Sequence, residues 1–213
     1  MKALVYEGAW QMPLRDVPEP IPGKDEVIIA VHSVGICGSD VHGFKGTTGR
    51  RKPPIIMGHE FSGTVHALGE GVDNLRIGQR VTANPLLTCG YCDNCLAGMP
   101  NICQNRTGLG ITLNGAYAEY VKVHRKMIFP LPDALNWQQG ALIEPLAVGM
   151  RAVNLTEFAL DATVFIIGTG TIGLMAIAAA RLKGAGKIIV ADLSDHRLEM
   201  AKTFGADVII HSG

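Results

Sequence analysis

Apolar and polar residues change their spacing near residue 136, and this change divides the chain into two parts. Before it, short β-branched runs such as residues 26–34 alternate with turns rich in Gly and Pro, which predicts a β-rich domain. Residues 137–155 instead carry apolar side chains at helical spacing. We therefore expect a β-rich domain over residues 1–148 and a second, differently built domain over residues 149–213.

The second domain shows a repeating strand and helix pattern. Apolar strands are predicted at residues 163–167, 187–191 and 208–210, and helices at residues 174–183 and 195–204. Strands that alternate with helices of this length are typical of a parallel sheet in an α/β fold. We expect the first part of a doubly wound sheet, which three strands leave incomplete.

A glycine-rich turn joins the first strand of this domain to its first helix. It reads G-x-G-x-x-G and contains Gly168, Gly170, Thr171, Ile172 and Gly173. The motif alone is weak evidence, but the strand before it and the helix after it supply the context of a dinucleotide-binding fingerprint. Its glycines would let a pyrophosphate approach the helix N-terminus closely.

An acidic residue follows at the spacing that this fingerprint requires. Asp192 ends the second strand, nineteen residues after Gly173. Its carboxylate would accept hydrogen bonds from the adenosine ribose and repel a 2′-phosphate, which favours NAD over NADP. Arg197 leaves the alternative open, because a nearby arginine can hold that phosphate.

Four of the five cysteines form the strongest single motif. Cys89, Cys92, Cys95 and Cys103 have the spacing C-x2-C-x2-C-x7-C, which predicts a closed tetrahedral zinc site with a structural role. An iron–sulfur cluster is the alternative, because C-x2-C-x2-C also opens ferredoxin motifs. The distance to the fourth cysteine and the lack of a following proline disfavour that alternative.

A second set of metal-binding residue types surrounds the fifth cysteine. Cys37, His59 and Glu60, with the more distant Glu144, offer sulfur, nitrogen and oxygen ligands that suit zinc with an open position. Asp40 is expected behind them, accepting a ring N–H from a ligating histidine. Glu60 could bind the metal directly or lie just behind it.

Each of these residues also has an ordinary structural explanation. Cys37 could be a small buried hydrophobe, as free cysteine often is. Glu144, just before Pro145, could be an acid that the helix dipole favours in a first turn. The clustering of ligand types around Cys37 favours the metal in both cases.

Composition restricts the range of functions. The chain has 19 basic and 19 acidic residues, so its charge indicates neither nucleic acid nor an anionic membrane as a partner. The N-terminus lacks a secretory pattern, and the longest apolar run is far short of a membrane span. We expect a soluble cytoplasmic protein with reduced cysteines, for which metal binding or catalysis outranks disulfides.

Taken together, the motifs resemble those of the zinc-dependent medium-chain alcohol and polyol dehydrogenases, which include sorbitol, threonine and galactitol-phosphate dehydrogenases. The resemblance extends over the whole chain and is carried by the motifs at residues 35–40, 58–60, 89–103, 144–145 and 168–173. It implies a β-rich GroES-like catalytic domain followed by a Rossmann domain. It also implies one catalytic zinc, one structural zinc and NAD, with hydride transfer from a secondary alcohol or polyol.

The resemblance also implies roles for individual residues. Ser39 matches the hydroxyl that relays the alcohol proton, and His42 matches the outer member of that relay. Glu60 matches the carboxylate that adjoins the histidine ligand. Glu144 stands where the alcohol branch has a second cysteine and the polyol branch a glutamate, which favours polyols. A threonine-type dehydrogenase and a non-catalytic zinc-binding polypeptide are the alternatives.

The length of the chain departs from the family pattern. Family members continue well past Gly213, through the second half of the Rossmann sheet and back into the catalytic domain. We therefore expect a truncated chain that is inactive or weakly active by itself. The full-length form is expected to act on a small molecule as a homo-oligomer.

Overall fold

A computed structural model describes residues Met1–Gly213, and its contacts divide the chain into two compact units, Met1–Leu142 and Ile143–Gly213. The boundary predicted after residue 148 falls inside a helix of the second unit, Ile143–Asn154. No helix of the chain combines the length and apolarity needed to cross a membrane.

The first unit is built mainly from short strands. They are β1 (Lys2–Tyr6), β2 (Leu14–Asp16), β3 (Glu26–Val34), β4 (Ile55–Ile56), β5 (Phe61–Leu68), β6 (Arg80–Ala83), β7 (Leu86–Leu87), β8 (Thr107–Gly108), β9 (Tyr120–His124) and β10 (Ile128–Pro130). The helices are α1 (Gly38–Phe44), α2 (Asp93–Leu96) and α3 (Trp137–Ala141), with 3-10 turns at Pro100–Ile102 and Arg125–Met127.

These strands form three antiparallel sheets, with the orders β10-β6-β5-β3-β9, β2-β1-β4 and β7-β8. The long strands β3 and β5 lie at the centre of the largest sheet. Their β-branched and aromatic residues, among them Val27, Ile29, Phe61 and Val65, are almost completely buried in its core. The burial of this core fixes the strand register, because a slip of one residue would expose it.

Strand β9 begins at Tyr120, after a segment without regular strand structure. The residues before it pair locally with the segment around β4. Ala116 donates its backbone N–H to the Gly58 carbonyl at 2.9 Å, and Tyr117 donates to the Met57 carbonyl at 2.9 Å. These bonds hold the chain against the segment that precedes β5.

The second unit contains the predicted α/β pattern. Its elements are α4 (Ile143–Asn154), β11 (Thr163–Ile167), α5 (Thr171–Leu182), β12 (Lys187–Asp192), α6 (Asp195–Thr203) and β13 (Val208–His211). The three strands are parallel in the order β11-β12-β13. The fold class expected from the sequence, a β-rich domain followed by the first part of a parallel sheet, is confirmed.

Two helices of the second unit approach each other closely. A Cβ added at Gly149 of α4 would lie 2.7 Å from the Met175 backbone and 2.8 Å from that of Ala176 in α5. Pro145 lies in the first turn of α4, where its missing N–H costs no helical hydrogen bond. The break between α3 and α4 therefore lies before the proline, at Leu142.

Candidate metal and dinucleotide sites

The antiparallel pairing of β3 with β5 brings the first set of predicted ligands together. Val34, at the end of β3, pairs with Phe61, at the start of β5. The backbone N–H of Gly35 then donates to the Glu60 carbonyl at 2.6 Å. As a result, one ligand atom each from Cys37, His59 and Glu60 lies within 4.8 Å of the other two.

Two glycines permit this close approach. A Cβ at Gly35 would overlap the Glu60 carboxylate and come within 3.2 Å of the Glu60 Cβ. Gly58, with φ of +89°, adopts the left-handed conformation just before His59, and a Cβ there would lie 2.6 Å from the Tyr117 ring. Larger residues at either position would displace the ligands.

The chemistry of this cluster fits a divalent cation. Glu60 is 4% exposed and His59 is 7% exposed, so both polar groups are withdrawn from water. Nδ1 of His59 is buried without a hydrogen-bond partner. Burying such groups is costly unless a partner compensates them. A thiol sulfur, an imidazole nitrogen and a carboxylate oxygen this close together form a donor set that suits zinc.

Asp40 lies directly behind His59, as the sequence suggested, but the contact is long. Its Oδ1 is 3.6 Å from Nδ1 of His59, an ion-pair distance that exceeds a hydrogen bond. Burial would raise the pKa of Asp40, but His59, the Tyr117 hydroxyl and the Arg51 guanidinium together lower it. The hydrogen bond from the histidine ring to Asp40 therefore stays a prediction.

The same anionic surroundings act on His59. Burial tends to lower the pKa of this imidazole, but the neighbouring Asp40 and Cys37 raise it to about 10. The anionic neighbours that favour a proton on this ring would also favour a metal cation in place of the proton.

The sequence did not identify two residues of this site. The Arg51 guanidinium lies 2.6 Å from Asp40, and the Tyr117 hydroxyl donates to the same carboxylate at 2.9 Å. Arg51 belongs to a basic run that looks solvent-exposed, and Tyr117 to an ordinary strand pattern. The only available signal was indirect, because a buried Asp40 needs partners of this kind.

The two residues proposed for proton relay lie on α1, which begins directly after Cys37. Ser39 and His42 are three positions apart on this helix, so they share a face, and both are exposed. The Ser39 hydroxyl accepts a hydrogen bond of 3.5 Å from Arg51. The fourth candidate ligand, Glu144, is half-buried in the first turn of α4 in the second unit. Its role as a ligand stays a prediction.

The four remaining cysteines form a second compact cluster. Their Sγ atoms all lie within 4.8 Å of one another, and all four cysteines are free of disulfides. The sulfur of Cys89 is 3.5 Å from that of Cys103 and 4.0 Å from that of Cys95, and Cys92 and Cys103 are separated by 3.8 Å.

These separations match one tetrahedral metal ion. Zinc–sulfur bonds of about 2.3 Å place the sulfurs of a tetrahedron about 3.8 Å apart. In a four-iron cluster each thiolate binds a different metal ion, so the sulfurs would be more widely spaced. The pairing of β7 with β8 closes the loop that carries the cluster.

Backbone N–H groups already support negative charge on this cluster. The N–H of Tyr91 lowers the pKa of Cys89 to about 6, and the N–H of Cys95 lowers that of Cys92. Burial raises the pKa of Cys95 itself. A metal bound to all four would need this last thiol to lose its proton as well.

The glycine turn of the second unit has the geometry that a dinucleotide needs. Gly168 has φ of +89°, and a Cβ at Gly173 would collide with the Gly168 carbonyl, so the fold itself requires both glycines. A Cβ at Gly170 would meet nothing within 4 Å. Gly170 therefore leaves an open surface at the start of α5, where Thr171 and Ile172 form the first turn. A pyrophosphate would fit that surface.

Asp192 is less available than the sequence suggested. Its Oδ2 accepts hydrogen bonds from the Thr169 backbone N–H at 2.7 Å and from the Thr169 hydroxyl at 3.0 Å. Its Oδ1 accepts one from the Ser194 N–H at 3.0 Å. A carboxylate has about four acceptor positions, so roughly one remains for a ribose hydroxyl. Arg197 is exposed on α6, with its backbone N–H 3.5 Å from the Ser194 hydroxyl.

A β-rich unit with two metal-ligand clusters, and a glycine turn on a parallel sheet later in the chain, are the features that the sequence motifs predicted for the zinc-dependent dehydrogenases. Residues 23–133, just over half of the chain, match the family described as alcohol dehydrogenase GroES-like domain. Residues 171–213 match the family described as zinc-binding dehydrogenase. The chain belongs to the alcohol dehydrogenase GroES-like family, as its motifs predicted.

Individual relatives agree with this assignment. Sorbitol dehydrogenase of Bacillus subtilis (strain 168) is 42% identical over 99% of this chain and 61% of its own length. A zinc-binding dehydrogenase from Sinorhizobium meliloti 1021, solved with NADP, is similar with a TM-score of 0.94 and 37% identity over 98% of this chain and 61% of its own.

A third relative was solved with the other cofactor form. The short chain alcohol dehydrogenase RspB from Escherichia coli CFT073, in complex with NADH, has a TM-score of 0.92 and 35% identity over 99% of this chain and 62% of its own. The chain thus spans about 61% of the length of these relatives.

Proposed function

We propose that this chain carries the metal and dinucleotide sites of an oxidoreductase that transfers hydride between a secondary alcohol or polyol and NAD. The observation that carries the proposal is the convergence of Cys37, His59 and Glu60 within 4.8 Å, on a chain that also holds an open glycine turn. Since the chain spans about 61% of the sorbitol dehydrogenase relative, the proposal concerns the whole protein of which these sites are part.

Cys37, His59 and Glu60 would hold the catalytic zinc, with Glu144 as the proposed further ligand. A bound zinc would supply a Lewis acid that lowers the pKa of a substrate hydroxyl. The four-cysteine cluster would hold a second zinc with no open position, which stabilises the loop between β7 and β8.

Ser39 would take the proton of the substrate hydroxyl. It lies two residues after Cys37, on the exposed side of the first turn of α1. His42, one helical turn further on, would pass this proton to solvent, since its side chain is exposed. The substrate hydroxyl would thereby lose its proton without a free hydroxide ion entering the site.

The second unit would bind the adenosine and pyrophosphate part of the cofactor. Gly170 and the N-terminus of α5 would receive the pyrophosphate, and the free acceptor position of Asp192 would bind one ribose hydroxyl. The negative charge of Asp192 would disfavour a 2′-phosphate, which supports NAD. Arg197 would instead attract a 2′-phosphate and favour NADP. The ratio of activity with NAD to activity with NADP tests which of the two residues decides the cofactor preference.

Glu144 supports polyols as the substrate class. A carboxylate at this position, rather than a second cysteine, matches the polyol branch of the family, and a relative over nearly the whole chain is a sorbitol dehydrogenase. A panel of polyols and simple secondary alcohols, followed by NADH absorbance, would rank the two classes.

The proposal is tested by Cys37→Ser and His59→Ala in the full-length protein. We expect each variant to lose one equivalent of zinc and alcohol oxidation, because each removes a ligand. His66→Ala is the matched control. His66 is an exposed histidine whose ring lies 4.6 Å from the Tyr120 ring, so its removal should leave both zinc content and alcohol oxidation unchanged. Alcohol oxidation retained in either ligand variant would refute the assignment, and zinc binding without oxidation by the unmodified protein would favour a non-catalytic zinc protein.

A further inference from the structure

Beside the metal-ligand cluster, Arg51 connects its own segment to two others of the first unit, the start of α1 and the loop at Gly110. Its Nη2 donates to Asp40 at 2.6 Å, its Nη1 to the Ser39 carbonyl at 2.8 Å and its Nε to the Gly110 carbonyl at 2.7 Å. Only an arginine has donors arranged in a fixed fork that can reach three acceptors in different directions.

The helix α1 is built to admit this side chain. A Cβ at Gly43 would lie 2.6 Å from Nη1 of Arg51 and 2.8 Å from its Cδ, so the arginine lies directly across the glycine. The Arg51 side chain is 3% exposed and that of Asp40 is 2% exposed. A buried ion pair of this kind is costly to break, because removal of one partner leaves the other charge uncompensated.

The contacts of Arg51 converge on the turn that carries the proposed site residues. The Asp40 carboxylate that it holds also accepts the backbone N–H of Cys37 at 3.3 Å, and so determines how the chain enters α1. The Ser39 carbonyl that it holds belongs to the residue whose hydroxyl is the proposed proton acceptor. Arg51 thus donates no hydrogen bond to Cys37, His59 or Glu60, yet it fixes the backbone from which Cys37 and Ser39 project.

We propose that Arg51 is a positioning residue of the metal site, which orients the Cys37 sulfur and the Ser39 hydroxyl through Asp40 and the first turn of α1. The proposal rests on the proposed function for the identity of the metal site. This positioning role differs from a purely structural one. Loss of Arg51 should alter the binding of metal at the Cys37 cluster (Cys37, His59 and Glu60) in protein that remains folded.

The test compares Arg51→Met and Arg51→Lys with the unmodified 213-residue chain. Two zinc equivalents are expected, and the second is the one bound by Cys37, His59 and Glu60. Its affinity is measured by competition with a chelator, and folding is measured by thermal unfolding. We expect Arg51→Met to bind that equivalent about 10- to 100-fold more weakly, as is typical when a group behind a metal ligand is removed. Arg51→Lys keeps the charge but not the fork, so it should restore only part of the affinity.

Cobalt provides a readout of geometry. The difference between the visible spectra of each Co2+-loaded protein and of its Cys37→Ser counterpart isolates the Cys37 cluster from the four-cysteine cluster. We expect this difference spectrum to shift in Arg51→Met, which removes the guanidinium. It should also shift in Gly43→Ala, because the added methyl group displaces Arg51 without changing any charge.

Arg80 supplies the matched control. It is also an arginine that donates to backbone carbonyls, those of Asp133 and Leu135, but it makes no hydrogen bond to the Cys37 cluster or to Asp40. Arg80→Lys should lower the unfolding temperature while leaving the second zinc equivalent and the cobalt difference spectrum unchanged.

The outcomes separate this inference from the proposed function. The positioning role would be overturned by folded Arg51→Met and Arg51→Lys proteins that keep the zinc affinity and the cobalt difference spectrum of the unmodified protein. An effect of equal size in Arg80→Lys would overturn it as well. An unmodified protein that binds one zinc equivalent only would overturn the metal site and this inference together. Two bound equivalents without alcohol oxidation by the full-length protein would refute the enzyme and leave the role of Arg51 supported by its own measurements.

Discussion

Val34 and Phe61 face each other at the end of the β3–β5 ladder, and this pair determines where the metal-ligand cluster forms. Cys37 comes three residues after one strand end, and His59 comes two residues before the other. Because antiparallel strands place these ends side by side, two ligands that are distant in sequence become neighbours. The core that holds β3 and β5 in register therefore also holds the site.

The close approach of Gly35 to Glu60 gives the first prediction. Gly35→Ala should weaken zinc binding at the Cys37 cluster about tenfold, because its methyl group would displace the Glu60 carboxylate. The loss of stability should be smaller, about 1–2 kcal/mol, since the overlapping group is the flexible end of a side chain. Zinc competition and chemical denaturation measure the two effects.

Gly38→Ala is the control for that prediction, because a Cβ at Gly38 meets nothing within 4 Å. It should leave zinc affinity unchanged and alter the free energy of unfolding by less than about 1 kcal/mol. Equal effects of the two substitutions would contradict the contact between Gly35 and Glu60.

The four-cysteine cluster gives a second prediction. Cys103 is completely buried, and Cys103→Ser should remove one zinc equivalent and make the segment between β7 and β8 sensitive to proteases. The reason is that this polar, glycine-rich loop depends on the metal for its folded shape. Limited proteolysis with mass spectrometry and metal analysis would detect both changes.

Cys37→Ser should also remove one zinc equivalent, but the loop should stay protected because its four sulfurs are intact. A loop that resists proteolysis without zinc would show that the metal is not what stabilises it.

The glycine turn gives a third prediction, in which two glycines separate folding from binding. Gly173→Ala should destabilise the second unit, because its methyl group would collide with the Gly168 carbonyl. In Gly170→Ala the added methyl group meets nothing in the protein. The variant's free energy of unfolding should therefore change by at most about 1 kcal/mol, the cost of a poorer N-cap. Its affinity for NADH should nevertheless fall, since the methyl group would occupy the pyrophosphate surface.

NADH fluorescence titration and thermal unfolding distinguish the two variants. Normal NADH affinity in Gly170→Ala would show that the cofactor does not use this turn.

Asp207 gives a prediction of pH dependence. The backbone N–H of Ile188, at 2.7 Å, and the Arg181 guanidinium, at 2.6 Å, lower the pKa of this carboxyl in the folded state. The unfolded chain then binds more protons than the folded chain near the unfolded pKa of about 3.9. The stabilisation is present above that pKa and is lost as the pH falls through the lower, folded value.

Thermal unfolding between pH 7 and pH 3 would measure this effect. Asp207→Asn should lower the unfolding temperature at pH 7 and make its fall at acidic pH less steep. Asp133→Asn, at a fully exposed side chain, is the control and should change neither. A variant Asp207→Asn with the same pH profile as the unmodified protein would contradict the prediction.

The four-cysteine cluster and the glycine turn could be located from the sequence because their parts are close along the chain. The four cysteines fall within fifteen residues, and the G-x-G-x-x-G motif is contiguous, so their spacing already constrains their geometry. The strands β3 and β11 were predicted with the bounds that the structure shows, because their apolar runs end at a glycine.

The sequence by itself determined the family, the fold class and the types of ligand, since these depend on local spacing and on residue chemistry. Only the tertiary structure decided which groups surround Asp40, because Tyr117 reaches it from 77 positions away and Arg51 from a loop without regular pattern. It also decided that Thr169 occupies half of the Asp192 carboxylate. The physical reason is that buried polar groups take whatever partner the folded core brings within hydrogen-bond distance, and sequence spacing carries no record of that choice.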